Sequence, residues 1–65
     1  MILYETVWQE NGATRRMWSG SLSDAQRDCI NTGIGSDPQI FPRNFPGNAK
    51  DKMRKLFELN MKEPL

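Results

Sequence analysis

An Asn-Gly pair between two strand-like segments is the feature that most restricts how this chain can fold. Residues 2–8 are rich in β-branched and aromatic side chains, and residues 14–18 form a second segment of this kind. Asn11 and Gly12 lie between them and readily adopt the positive φ that a tight two-residue β-turn requires. The pattern predicts an antiparallel β-hairpin over residues 2–19.

The register of this hairpin stays open between two alternatives. A two-residue loop places Trp8 opposite Arg15, whereas a bulge at Gly12 places Tyr4 opposite Trp18. A slip of one residue moves the side chains of the second strand to the other face of the sheet, so the choice decides which residues meet. Either register leaves apolar side chains on both faces of the hairpin.

The first helix is predicted over residues 22–32. Ser23 offers an N-cap, Ser21 is a competing start, and Gly33 suits a C-terminal cap. The apolar side chains recur at helical spacing and form the stripe that we expect to be buried: Leu22, Ala25, Cys29 and Ile30.

A proline-rich connection of residues 34–47 follows the first helix. Pro38, Pro42 and Pro46 recur every four residues, and a proline inside a helix costs about 3 kcal/mol. This segment is therefore not helical. Residues 39–41 form either a short third strand or an extended loop, and we expect the connection to be an ordered crossover between the helices.

The second helix is predicted over residues 49–61. Asn48 provides its N-cap side chain, and Pro64 lies beyond its last turn. The side chains that we expect to pack on the sheet are Ala49, Met53, Leu56, Phe57 and Asn60. The 65 residues are thus predicted to form one small α+β domain in the order β-β-α-loop-α, with two helices on a sheet of two or three antiparallel strands.

The composition argues against several classes of protein. The chain has no histidine and one cysteine, Cys29, so it lacks the commonest general base and cannot by itself assemble a structural zinc site. We expect no enzymatic activity, no cofactor and no metal. The sequence contains no run of about 18 apolar residues, so no membrane-spanning helix is predicted. The single cysteine, with no signal-peptide pattern, favours the cytoplasm.

Two groups of residues are candidates for contact with a partner. The first group lies in the hairpin and consists of Trp8, Arg15, Arg16 and Trp18. Tryptophan and arginine are the residue types that dominate protein interfaces. The same types bind single-stranded nucleic acid by stacking on its bases and neutralising its phosphates. The second group makes the last helix basic and could contact phosphates: Lys50, Lys52, Arg54 and Lys55. A pI near 7.9 is low for a nucleic-acid-binding module, which favours a protein partner.

We interpret the chain as a non-enzymatic protein, an inhibitor or adaptor, that binds another protein through the hairpin group. In length it is similar to many short phage-encoded proteins that bind and block one host protein, and that similarity would place it in the host cytoplasm. The alternative is a small nucleic-acid-binding protein that uses Arg15, Arg16 and the basic last helix. Apolar side chains on both hairpin faces also predict a homo-oligomer, most simply a dimer.

Overall fold

A three-stranded antiparallel sheet and two α-helices make up residues 1–34 and 37–62, which the computed structural model describes. The elements are β1 (Ile2–Glu10), β2 (Ala13–Ser19), α1 (Leu22–Thr32), β3 (Gln39–Asn44) and α2 (Lys52–Lys62), with a 3₁₀ turn at Ala49–Asp51 before α2. The prediction of a small α+β domain is confirmed. Positions 35 and 36 of the proline-rich connection and the expected helix stop before Pro64 lie outside these residues. In the described part of the chain, no helix is long and apolar enough to cross a membrane.

The hairpin turn sets the register of the sheet, whose strand order is β2-β1-β3. Asn11 and Gly12 have φ angles of 52° and 80°, as a two-residue turn of this type requires. Trp8 pairs with Arg15, which is the first of the two registers left open by the sequence. The third strand is present, and Phe41 of β3 pairs with β1 on the side away from β2.

The register divides the side chains between two faces, because strand partners point to the same side of a sheet. We call the first the helix face; it carries Tyr4, Thr6, Trp8, Arg15, Met17, Ser19 and Ile40. We call the second the arginine face; it carries Leu3, Glu5, Val7, Arg16, Trp18, Phe41 and Arg43.

Helix α1 packs on the helix face through small and polar side chains. Ser19 Oγ donates a hydrogen bond to Asp28 Oδ2 at 2.7 Å, and Thr32 Oγ1 lies 3.9 Å from Met17 Sδ. Ala25 is fully buried. The side of α1 that faces the sheet is therefore centred on Ala25, Asp28 and Thr32.

Two details of α1 differ from the main prediction. Its N-cap is Ser21, whose Oγ accepts from the Asp24 N–H at 3.1 Å, and not Ser23. The predicted buried stripe is wrong for two of its members, since Leu22 is 47% exposed and Ile30 is 80% exposed. The physical reason is the orientation of the helix: contact through Ala25 turns Ile30 towards solvent.

Helix α2 is attached to the outer edge of β2 by one side-chain amide. The Trp18 N–H donates to Asn60 Oδ1 at 2.9 Å, and Asn60 Nδ2 donates to the Trp18 carbonyl at 3.2 Å. The amide thus bonds Trp18 as a neighbouring strand would. Leu56 packs against Gly20, which directly follows β2. Its Cδ1 lies 3.4 Å from the position that a Cβ atom at Gly20 would occupy.

This attachment explains why part of the expected buried face of α2 is wrong. Met53 is 82% exposed and Phe57 is 68% exposed, although both were predicted to pack on the sheet. Asn60 and Leu56 direct one side of the helix towards β2. Phe57 follows Leu56 by one residue, which is about 100° around a helix of 3.6 residues per turn, so its ring points outwards.

We expect Asn60→Ala to lower the free energy of unfolding by about 1–3 kcal/mol, because each hydrogen bond contributes about 0.5–1.5 kcal/mol. Urea denaturation followed by tryptophan fluorescence measures this. Asn31→Ala is the matched control, since Asn31 is also an exposed helical asparagine and the change favours helix formation equally. Equal stability of the two variants would show that the amide does not hold α2 to the sheet.

Candidate functional site

The structure separates the four hairpin residues that the sequence suggests as a contact site. Trp8 lies on the helix face and is only 5% exposed, so it belongs to the core. Arg15 lies on the same face, with its Nε 3.4 Å from Glu10 Oε2. Arg16 and Trp18 lie together on the opposite, arginine face.

A buried glutamate on the central strand joins two arginines from the flanking strands. Arg16 Nε of β2 lies 3.4 Å from Glu5 Oε2, and Arg43 of β3 donates to Glu5 Oε1 from Nη2 at 3.1 Å and from Nε at 3.2 Å. The Glu5 side chain is 11% exposed, whereas the Arg16 and Arg43 side chains are 44% and 52% exposed. One carboxylate therefore holds two half-exposed guanidinium groups, and we call Glu5, Arg16 and Arg43 the arginine site.

The register places both arginines within reach of this carboxylate. Arg16 pairs with Val7, and Arg43 pairs with Leu3, so each arginine lies diagonally across from Glu5, on opposite sides of it. Diagonal neighbours in a sheet are about 7–8 Å apart, a distance that long side chains span. The alternative register of the hairpin would have put Arg16 on the other face.

An aromatic ring orients the second guanidinium. The Arg43 Cζ lies 5.3 Å from the centre of the Phe41 ring, within the range of a cation–π contact. Phe41 pairs directly with Glu5 across β1 and β3. Arg43 is therefore held from two sides, and its planar group has little rotational freedom left to lose when a ligand binds.

A pair of aromatic rings closes one end of the arginine face. The Trp18 and Phe45 rings meet edge to face with centroids 5.5 Å apart. Leu3 lies on the strand between them and is fully buried, which is consistent with the rings covering it. The Lys55 Nζ lies 5.4 Å from the Phe45 ring centre. Trp18 is half-buried and lies on the same face as Arg16.

The four basic residues of the possible nucleic-acid contact lie in different surroundings. Lys55 lies against Phe45 and is 3.9 Å from Glu58, and Lys52 is half-buried beside Gly20. Lys50 and Arg54 are exposed. Arg54 and Lys55 line one cavity together with the acidic residues Asp51 and Glu58.

Two residues that the sequence reasoning missed, Glu5 and Arg43, complete the arginine site. Glu5 carried a weak signal, since it is an isolated charge within an otherwise apolar and β-branched strand. Arg43 carried none, because its position depends on the pairing of β3 with β1, and that pairing joins residues about 40 positions apart. In the described residues, no group of three or more acidic or cysteine side chains is placed to hold a metal ion.

Comparison with known proteins does not assign the chain to a family. Neither the protein-family models, nor the curated proteins, nor the solved structures include a match. The case for a function therefore depends on the geometry of the arginine face and on the surface of the helices.

We expect Glu5→Gln to lower the free energy of unfolding by about 1–3 kcal/mol, because it leaves two guanidinium groups without their charged acceptor. Glu10→Gln is the control, since it removes a carboxylate from an exposed pair that contributes less than about 1 kcal/mol. Chemical denaturation of both variants measures the difference. A Glu5→Gln protein as stable as Glu10→Gln would contradict a structural role for the Glu5 carboxylate.

Proposed function

We propose that the protein is a non-enzymatic binding module that recognises an acidic segment of another protein through its arginine face. The observation that carries the proposal is the Glu5 carboxylate, which holds Arg16 and Arg43 side by side while leaving each about half exposed. Guanidinium groups bind carboxylates through paired hydrogen bonds, because each carries five N–H donors in a fixed planar fork.

Preorganisation makes this pair more useful for binding than two free surface arginines. A long side chain loses about 0.5–1.5 kcal/mol of conformational freedom when it is immobilised at an interface. Arg43 has already lost much of that freedom, because Glu5 and Phe41 hold it in place. Arginines beside aromatic rings are also the residues that most often dominate binding energy at protein interfaces.

The charge of the site favours a protein carboxylate over a nucleic-acid backbone. Glu5 cancels one of the two positive charges. Gln9, Thr14 and Gln39 on the same face are neutral. The acidic Asp37 lines one cavity with Gln9 and Gln39, so the site has no excess of positive charge. Nucleic-acid affinity comes from many phosphate contacts by unneutralised cations. Trp18 and Phe41 are half-buried and already in contact with Phe45 and Arg43, which leaves little ring surface for bases to stack on.

A binding module of this kind acts by covering a site on its partner protein. We therefore propose that it serves as an inhibitor or adaptor and not as a catalyst. We also propose a cytoplasmic site of action, which a chain with one cysteine supports. Cys29 is a free, half-buried thiol on α1.

The arginine pair can be tested against a second pair of equal charge. We expect the double variant Arg16→Gln/Arg43→Gln to lose at least about tenfold in affinity for the protein that the wild type captures from its native lysate. The double variant Arg15→Gln/Arg27→Gln removes the same charge from exposed ion pairs elsewhere, and it should keep that partner. Mass spectrometry of the captured proteins identifies the partner, and titration calorimetry gives the affinity. Equal loss in both variants would refute the site.

The nucleic-acid alternative makes a different prediction for the last helix. We expect the triple variant Lys50→Gln/Lys52→Gln/Lys55→Gln to keep the protein partner, and we expect wild-type protein to bind a 20-nucleotide single-stranded DNA only weakly. Fluorescence anisotropy at about 50 mM and 200 mM salt measures the second point. Tight binding to the DNA that falls steeply with salt, and that the triple variant loses, would favour the alternative.

A further inference from the structure

Helix α2 presents an apolar row to solvent along its whole length. Met53, Phe57 and Met61 follow one another at intervals of four residues and are 82%, 68% and 66% exposed. The buried apolar residues in the described part of the chain are Leu3, Trp8, Met17 and Ala25. Three large apolar side chains in one row are thus left outside a small core, an arrangement typical of an interaction surface. We call this row the α2 stripe.

The α2 stripe cannot turn inwards without breaking contacts that the structure shows. Asn60 forms two hydrogen bonds with the Trp18 backbone, and Leu56 lies against Gly20. Rotation of α2 to bury Phe57 would remove both contacts. The stripe therefore stays on the outside of the domain.

We propose that the α2 stripe is covered by the α2 stripe of a second copy of this chain, in an antiparallel, two-fold symmetric dimer. Residues at intervals of four form a ridge, and two such ridges pack into each other's grooves in the commonest class of helix packing, with axes about 50° apart. The stripe is symmetric about its centre, with a methionine four residues to either side of Phe57. A two-fold axis beside Phe57 places Met53 of one copy next to Met61 of the other.

The area of the stripe is that of a small reversible dimer. Three side chains exposed to this extent offer roughly 300–450 Å² per copy, on the scale of about 150 Å² for each large side chain. A standard interface buries about 800 Å² per partner, of which a little over half is apolar. The stripe thus supplies the apolar centre of such an interface, and we expect a dissociation constant on the order of 10–100 µM, because small interfaces form transient complexes.

Sedimentation equilibrium of the full chain from about 1 µM to 1 mM tests the proposal. We expect a monomer–dimer equilibrium, and we expect Phe57→Ser to raise the dissociation constant at least tenfold. Ile30→Ser is the control, because Ile30 is equally exposed but lies on α1. Thermal unfolding establishes that both variants fold. A wild type that stays monomeric at 1 mM, or equal weakening by both substitutions, would overturn the proposal.

A lipid surface is the other apolar environment to exclude. Monomeric protein that binds phosphatidylserine-containing vesicles through Phe57 would refute the second copy as the occupant.

The dimer and the arginine site can fail independently. Arg16→Gln/Arg43→Gln should dimerise like the wild type, because the arginine face and the α2 stripe share no residue. Phe57→Ser should keep the protein partner captured by the arginine face. If either variant lost both dimerisation and binding of the protein partner, the two surfaces would not act separately. That result would overturn the assignment of the α2 stripe to dimerisation alone.

Discussion

The two-residue turn at Asn11 and Gly12 is the constraint on which the rest of the structure depends. It sets the pairing of β1 with β2 and thereby decides which side chains share a face. Arg16 reaches Glu5 because of this register, and the Trp18 backbone groups point away from β1 towards Asn60 for the same reason. The position of Arg16 beside Glu5 and the orientation of the Trp18 backbone towards α2 both follow from this hairpin register.

Local signals were enough to predict the class of fold, and non-local contacts account for what could not be predicted. Turn residues, caps and periodicity each act over a few positions, so they indicate antiparallel strands and two helices. The place of Arg43 depends on a pairing between β3 and β1, which no short pattern encodes. The orientation of α2 depends on Asn60, a polar residue that binds a strand edge. Apolar spacing alone therefore predicts the wrong side of α2 for Phe57.

The candidate site shows the same division between local signals, which the sequence carries, and non-local contacts, which it does not. The sequence identified Arg16 and Trp18 by residue type, but it could not show that Trp8 belongs to the core or that Glu5 is shared by two arginines. The composition does show why the surfaces take this form. A chain of 65 residues buries only a small core, and Met53, Phe57 and Met61 of α2 stay outside it.

The Asn60 amide has a consequence for how molecules of this protein meet in crowded solution. An exposed strand edge is a template for pairing with another chain, and long unprotected edges lead to aggregation. The Asn60 side chain already bonds the backbone N–H and carbonyl of Trp18 on the outer edge of β2, so these groups cannot pair with another strand. On β3, the Phe45 N–H points to Met1, so by alternation the Pro42 nitrogen lies on the outer side, where it offers no donor. Both edges are thus interrupted, and the sheet resists growth by strand addition.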